Sequence, residues 1–104
     1  MTKLTIAIPN YNGGNNLKRA IESCKKIQIP LEDYEILIVD NCSTDNSIDL
    51  INELNNEFSN LVLIENKENV GRIQNWNVCL ENANGEFLIF LHDSIARRKF
   101  FPPL

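Results

Sequence analysis

The stretch ILIVDNCSTDNS, Ile36–Ser47, decides how the rest of the chain is read. Four aliphatic residues run without interruption into an acid, Asp40, and then into a polar cluster that contains a second acid, Asp45. An unbroken apolar run of this length predicts a strand covered on both faces, as in a parallel sheet. Asn41, Ser43, Thr44, Asn46 and Ser47 are side chains that favour turns and helix caps. A buried strand that ends on an acid and passes into helix-capping residues predicts one strand–loop–helix unit. Ser43, Thr44 or Asp45 is the expected cap of the helix.

The same alternation extends in both directions. Leu4 to Ile8 is a short apolar strand closed by Pro9, and Leu17, Ala20, Ile21, Cys24 and Ile27 recur at helical spacing until Pro30 ends them. Ile36 to Val39 forms the second strand. Ile48, Ile51, Leu54 and Phe58 mark a second helical stripe, and Leu61 to Ile64 a third strand. Val70, Ile73, Trp76, Leu80 and Ala83 trace a third helix stopped by Gly85, with Trp76 read as core and at least one of Asn75 and Asn77 facing solvent. Phe87 to Leu91 is the fourth strand. Strands alternating with helices imply right-handed crossovers. The expected fold is therefore α/β, with three α/β/α layers around a mostly parallel Rossmann-like sheet in the order 3-2-1-4.

The 104 residues suit one domain, and 43% hydrophobic with 23% charged residues is an ordinary globular composition. Apolar runs fall well short of the roughly 20 residues that span a bilayer. The strand pattern begins at the N-terminus, which predicts no signal peptide. A net charge of -4 argues against nucleic-acid partners and anionic membrane surfaces. Cys24, Cys42 and Cys79 have no metal-ligand spacing and read as reduced thiols of a cytoplasmic protein. The expected domain covers residues 1–94. The tail at 95–104, with a basic triplet, two Phe and two Pro, is expected to be irregular.

In an open parallel sheet, ligands bind beyond the carboxyl ends of the strands. The polar segments at those ends are PNYNGG, DNCSTD, ENKENVGR and HDS, and all four meet at one edge. Asp40 can accept hydrogen bonds from a ligand's N–H or O–H groups, or act only in capping. The glycines of PNYNGG permit a tight turn, but Walker and dinucleotide spacings are absent. Gly71 and Arg72 open the third helix, where backbone and guanidinium could meet a phosphate. His92 and Asp93 could contribute to a divalent-metal site without completing one.

Taken in order, LTIAIPNYNGGNNLKRAIESC, YEILIVDNCSTDNS and NKENVGRIQNWNVCLENANGEFLIFLHD resemble the N-terminal half of a glycosyltransferase family 2 protein, over Leu4 to Asp93. The resemblance implies a GT-A fold, a nucleotide-diphosphosugar donor with uridine as the expected nucleoside, and inversion at the anomeric carbon. It implies nucleoside contacts from Pro9, Asn10 and Tyr11 and a base contact from Asp40. Asn41 stands where the family often has a second acid. Asn69 and Gly71, with Arg72, fall in the segment that lines the donor pocket. The family's acidic metal motif maps to Asp93, beside His92, and implies Mn²⁺ or Mg²⁺ against the diphosphate. The acceptor, a carbohydrate or lipid-linked molecule, and the catalytic base belong to a second half in the family. The 104-residue chain is accordingly expected to be inactive alone, and the full-length protein to work in the cytoplasm at the inner membrane surface. The alternative is a non-catalytic nucleotide-binding or scaffolding module of the same fold. A sugar nucleotidyltransferase would want a basic glycine-rich loop after the first strand. A receiver domain would want acids after strands one and three, where this chain has Pro9-Asn10 and Glu65-Asn66.

Overall fold

The structure, a computed structural model, describes residues 2–91. His92, Asp93 and the 95–104 tail lie outside the described residues. In chain order the elements are β1 (Leu4–Asn10), α1 (Gly14–Ser23), β2 (Tyr34–Asp40), α2 (Ser47–Leu54), β3 (Leu61–Glu65), α3 (Arg72–Asn82) and β4 (Phe87–Phe90). All pairings are parallel and the strand order is β3-β2-β1-β4, as the alternation of elements predicts.

The chain first steps from β1 to β2 to β3, then crosses back over β1 to β4. Right-handed crossovers made in opposite directions place their helices on opposite faces. Accordingly α1 and α2 cover one face, where Ile6, Ile8, Ile36 and Ile38 meet Leu17, Ile21, Ile51 and Leu54. On the other face α3 packs Val78 and Cys79 over Ala7, Leu37 and Val39. Ile6, Ile8, Leu37 and Val39 are no more than 1% exposed, and each such side chain stabilises the fold by about 1.5–3 kcal/mol relative to exposure.

Several local readings change. Pro9 lies within β1 and pairs in register with Val39 instead of closing the strand. Ala7 turns its carbonyl toward β4 and Asn10 turns its own toward β2. By alternation the N–H that Pro9 lacks would face the β4 side, so the β2 ladder is intact. The first helix stops at Ser23, a 3₁₀ turn follows over Cys24–Lys26, and Ile27 is extended. Ile27 still packs on the core, so helical spacing continued past the helix. Phe58 is likewise buried beyond the end of α2.

The third helix departs most from its pattern. Ile73 is 80% and Leu80 56% exposed, whereas Asn75 and Cys79 are buried. The predicted stripe is therefore turned away from the sheet, and Trp76 is only half-buried, stacked on Phe90 at 4.4 Å between ring centroids. Asn77 is exposed, as expected for one of the pair that flanks Trp76. Gly85 does not cap the helix, which ends at Asn82. A Cβ there would lie 2.6 Å from the Thr5 nitrogen and 2.7 Å from the Leu4 carbonyl carbon, so close backbone approach requires the glycine. Around it, Thr5 Oγ1 donates to Glu35 Oε2 at 2.6 Å, and the Asn84 backbone N–H donates to the same oxygen at 2.7 Å. Those bonds satisfy a buried carboxylate and fasten the α3–β4 turn to the amino edge of the sheet.

Candidate functional site

At the carboxyl edge of the sheet the loops after β1, β2 and β3 enclose a cleft of about 480 Å³. Pro9, Asn10 and Tyr11 border it from β1, Asn41 from β2, and Asn69, Gly71, Arg72, Asn75 and Trp76 from the β3–α3 segment. The sequence-predicted residues Pro9, Asn10, Tyr11, Asn41, Asn69, Gly71 and Arg72 are thus brought together. Asn75 and Trp76, read as a flank and as core, belong to the lining as well.

Asp40 is placed differently. Strand alternation turns it to the α1/α2 side, in line with Ile36 and Ile38, and it is 2% exposed. Its Oδ1 accepts from Asn10 Nδ2 at 2.8 Å and from Ser43 Oγ at 2.6 Å, and its Oδ2 accepts from the Ser43 N–H at 2.9 Å. Asp40 stands behind the cleft wall and outside its lining. Asn10 borders the cleft; its Nδ2 donates to Asp40 and Ser43, while its buried Oδ1 has no hydrogen-bond partner among the described residues.

The expected capping also resolves differently among the three candidates. Ser43 Oγ accepts from the Asn12 N–H at 2.9 Å, and Thr44 Oγ1 from Asn12 Nδ2 at 3.3 Å, so both bind the β1–α1 loop and not α2. Only Asp45 serves the helix start, accepting from the Ser47 N–H at 3.0 Å. Asn12, in the left-handed region at φ 52°, accepts from the N–H groups of Thr44 and Asp45 at 2.8 and 3.2 Å. Asparagine is among the few side chains that tolerate this backbone. No sequence signal marked Asn12, because its partners are more than 30 residues away.

On the α3 side four amides form a second network. Asn41 Oδ1 accepts from the Val70 N–H at 2.9 Å and from Asn66 Nδ2 at 3.1 Å. Asn41 Nδ2 donates to Asn69 Oδ1 at 3.0 Å and to the Gly71 carbonyl at 3.4 Å. Asn69 Oδ1 also accepts from the Gly71 N–H at 2.9 Å. Asn75, buried, donates to the Val39 carbonyl at 3.2 Å and accepts from Asn66 at 2.7 Å, which explains how an amide occupies the sheet-facing side of α3. Gly71 precedes α3 at φ 87°, a conformation suited to glycine.

Among the described residues the lining combines a proline, two aromatic rings, amides and one guanidinium, with no carboxylate or imidazole. Such a surface can bind a flat polar ring and an anion. Among the described residues, no group of three or more His, Cys, Asp and Glu could hold a metal ion. The candidate ligands His92 and Asp93 lie outside them.

This fold recurs in known proteins. The profile described as "Glycosyl transferase family 2" matches residues 5–96. A poly(ribitol-phosphate) beta-glucosyltransferase of Bacillus spizizenii is 36% identical over 90 residues, which cover 86% of this chain and 14% of that protein. The crystal structure of S. aureus TarS 1–349 in complex with UDP-GlcNAc superposes with a TM-score of 0.81 at 29% identity, covering 88% of this chain and 26% of that one. A mannosyltransferase from Pyrobaculum calidifontis, in complex with GDP-Man and Mn²⁺, shares the fold with a TM-score of 0.81 at 22% identity. The chain spans well under a third of the length of each of these three. With a sheet and helices shared with GT-A transferases and a family profile that covers nearly all of it, the chain belongs to glycosyl transferase family 2.

Proposed function

We propose that residues 1–94 form the donor-binding unit of an inverting glycosyltransferase, and that the cleft beside α3 takes the nucleotide of a uridine diphosphosugar. The observation that carries this reading is the lining. Pro9, Tyr11 and Trp76 offer apolar and aromatic surface, while the Asn69 amide and the Arg72 guanidinium offer donors in the same lining. The UDP-GlcNAc complex of TarS supports a uridine nucleotide. In this reading Tyr11 and Pro9 flank the nucleoside, Arg72 meets the diphosphate, and Asp40 and Asn10 hold the β1 and β2 loops from behind.

Mn²⁺ or Mg²⁺ belongs to the same reading through Asp93 and His92, and no step is carried through an ion by the described residues. The acceptor is a carbohydrate or lipid-linked hydroxyl, and the working place is the cytoplasm at the inner membrane surface. Among the described residues the cleft lining contains no carboxylate or imidazole, so in this reading deprotonation of an acceptor falls to groups other than those. The 104-residue chain thus binds donor without transferring sugar. The same lack of a base supports a second reading, a nucleotide-binding module without catalysis.

Calorimetric titration with UDP, UDP-GlcNAc and GDP, each with and without Mn²⁺, tests the reading. Binding of the uridine nucleotides, strengthened by Mn²⁺, is the expected result. Failure of every nucleotide to bind would sink it, and Mn²⁺-dependent sugar transfer by the purified chain would overturn the claim of inactivity.

A further inference from the structure

Glu35 opens β2 at the amino edge of the sheet, with roughly 16 Å of strand between it and Asp40. Alternation puts it on the α3 face with Leu37 and Val39, and it is 7% exposed. Besides the two bonds at Oε2, its Oε1 accepts from Asn84 Nδ2 at 3.1 Å. Thr5 Oγ1 extends the cluster by accepting from the Gly85 N–H at 2.9 Å. One carboxylate therefore gathers β1, β2 and the first residues after α3 into a single clasp.

The layer it serves is thinly packed. On the other face α1 and α2 bury Leu17, Ala20, Ile21, Ile51 and Leu54. Within α3 only Asn75 and Cys79 are buried, while Ile73 and Leu80 point outward. Apolar attraction scales with the area removed from water, so polar ties carry a larger share of what holds α3. Asn75 supplies one tie, to the Val39 carbonyl, and the Glu35 clasp supplies the other just beyond the helix end at Asn82. A helix of three turns is stiff, so fixing its last turn also fixes its first turns. Those turns carry Arg72, Asn75 and Trp76 into the cleft lining.

We propose that Glu35 is a positioning residue for the cleft: by clasping Asn84 and Gly85 it locks α3 on the sheet and holds the cleft wall from the far edge. The consequence for ligand binding rests on the proposed nucleotide role, whereas the locking of α3 does not.

Two buried thiols read the lock, Cys79 on α3 and Cys24 behind α1. Labelling by a thiol reagent at pH 8, resolved by peptide mass, is compared for the 104-residue wild type and the variants E35M, E35Q and N84A. E35M keeps the side-chain volume and removes the acceptors. Cys79 labelling should then accelerate at least about tenfold more than that of Cys24, as loss of hydrogen bonds to a charged group implies. Gln keeps an acceptor for Thr5 and the Asn84 N–H, and its amide can meet Asn84 Oδ1 once that exposed side chain turns over. E35Q should therefore restore slow labelling. Equal acceleration of Cys24 and Cys79 in E35M, or none, would overturn the inference. Loss of slow labelling in E35Q as large as in E35M would overturn it as well. N84A removes one bond from an exposed residue, so it decides by the same comparison if E35M does not fold. UDP titration completes the test: E35M should weaken binding about tenfold and E35Q should not. Unchanged affinity in an E35M whose Cys79 labels fast would refute the link to the cleft. A wild type that binds no UDP sinks the nucleotide reading, and the labelling still upholds or overturns the lock.

Discussion

Two polar clusters occupy the same edge of the sheet and draw on the same residue types, yet one is closed and the other open. On the α1/α2 side, Asn12, Asp40, Ser43, Thr44 and Asp45 spend their hydrogen bonds on each other, on Asn10 Nδ2 and on the backbone, while the buried Asn10 Oδ1 has no partner among the described residues. On the α3 side, Asn41, Asn66, Asn69 and Asn75 also bond one another, but all except Asn66 border a cleft with aromatic walls. Polarity at a strand end therefore does not mark a ligand site by itself. What separates the two clusters is that the first ties the β1–α1 and β2–α2 loops to each other, whereas Asn41, Asn69 and Asn75 of the second line the cleft at the Gly71 entry to α3.

The largest expected effect tests the closed side. Asp40→Ala removes acceptors from three buried or half-buried donors and should cost about 3 kcal/mol of stability, as broken buried networks do. Urea denaturation without ligand measures it. A stable variant that has lost only nucleotide affinity would move Asp40 back among the ligand contacts.

Asn12 refines the same side. Asn12→Ala loses the cross-loop bonds and also strains a left-handed backbone, for a total of about 2 kcal/mol, of which roughly 1 kcal/mol is backbone. Asn12→Gly keeps the backbone at ease and should lose only the remainder. Equal melting temperatures for the two variants would refute this division.

The open side should respond in binding more than in folding. Arg72 is exposed at the start of α3, so Arg72→Ala should leave the melting temperature unchanged and weaken UDP about tenfold, as loss of one charge-assisted hydrogen bond does. An unchanged affinity by calorimetry would remove Arg72 from the site.

The smallest effect asks whether the two helical layers are equally dry. Burial pushes the Cys24 thiol beneath α1 from 9.0 up to about 12, and burial likewise pushes Cys79 beneath α3 up to about 11. Folded-state values above the unfolded value mean that this stability is complete below about pH 9 and is lost as pH rises toward 11 and 12. At pH 8 a thiol reagent should modify exposed Cys42 alone, releasing Cys24 and Cys79 only on unfolding. Fast labelling of Cys79 in the folded chain would show that α3 opens more readily than α1.

Much of this architecture was legible along the chain because it depends on local periodicity. Apolar strands separated by amphipathic helices force parallel pairing, and right-handed crossovers then bring four polar strand ends to one edge. That reasoning is enough to find PNYNGG, Asn41 and the Asn69–Arg72 segment. It also locates α3, but not the face α3 buries. Ile73, Trp76 and Leu80 have helical spacing, yet Asn75, Val78 and Cys79 carry the contact with the sheet.

The sequence by itself determined the elements, their order and the edge at which the candidate site lies. Only the tertiary structure decided which side of that edge is open and what each polar side chain does there. Asn75 is buried because the Val39 carbonyl, 36 residues away in sequence, needs a donor. Asp40 is turned from the cleft because parallel register sets it beside Asn10, 30 residues earlier. Period and propensity act over one or two turns of chain. A hydrogen bond between loops depends on where separate elements meet, and only packing supplies that.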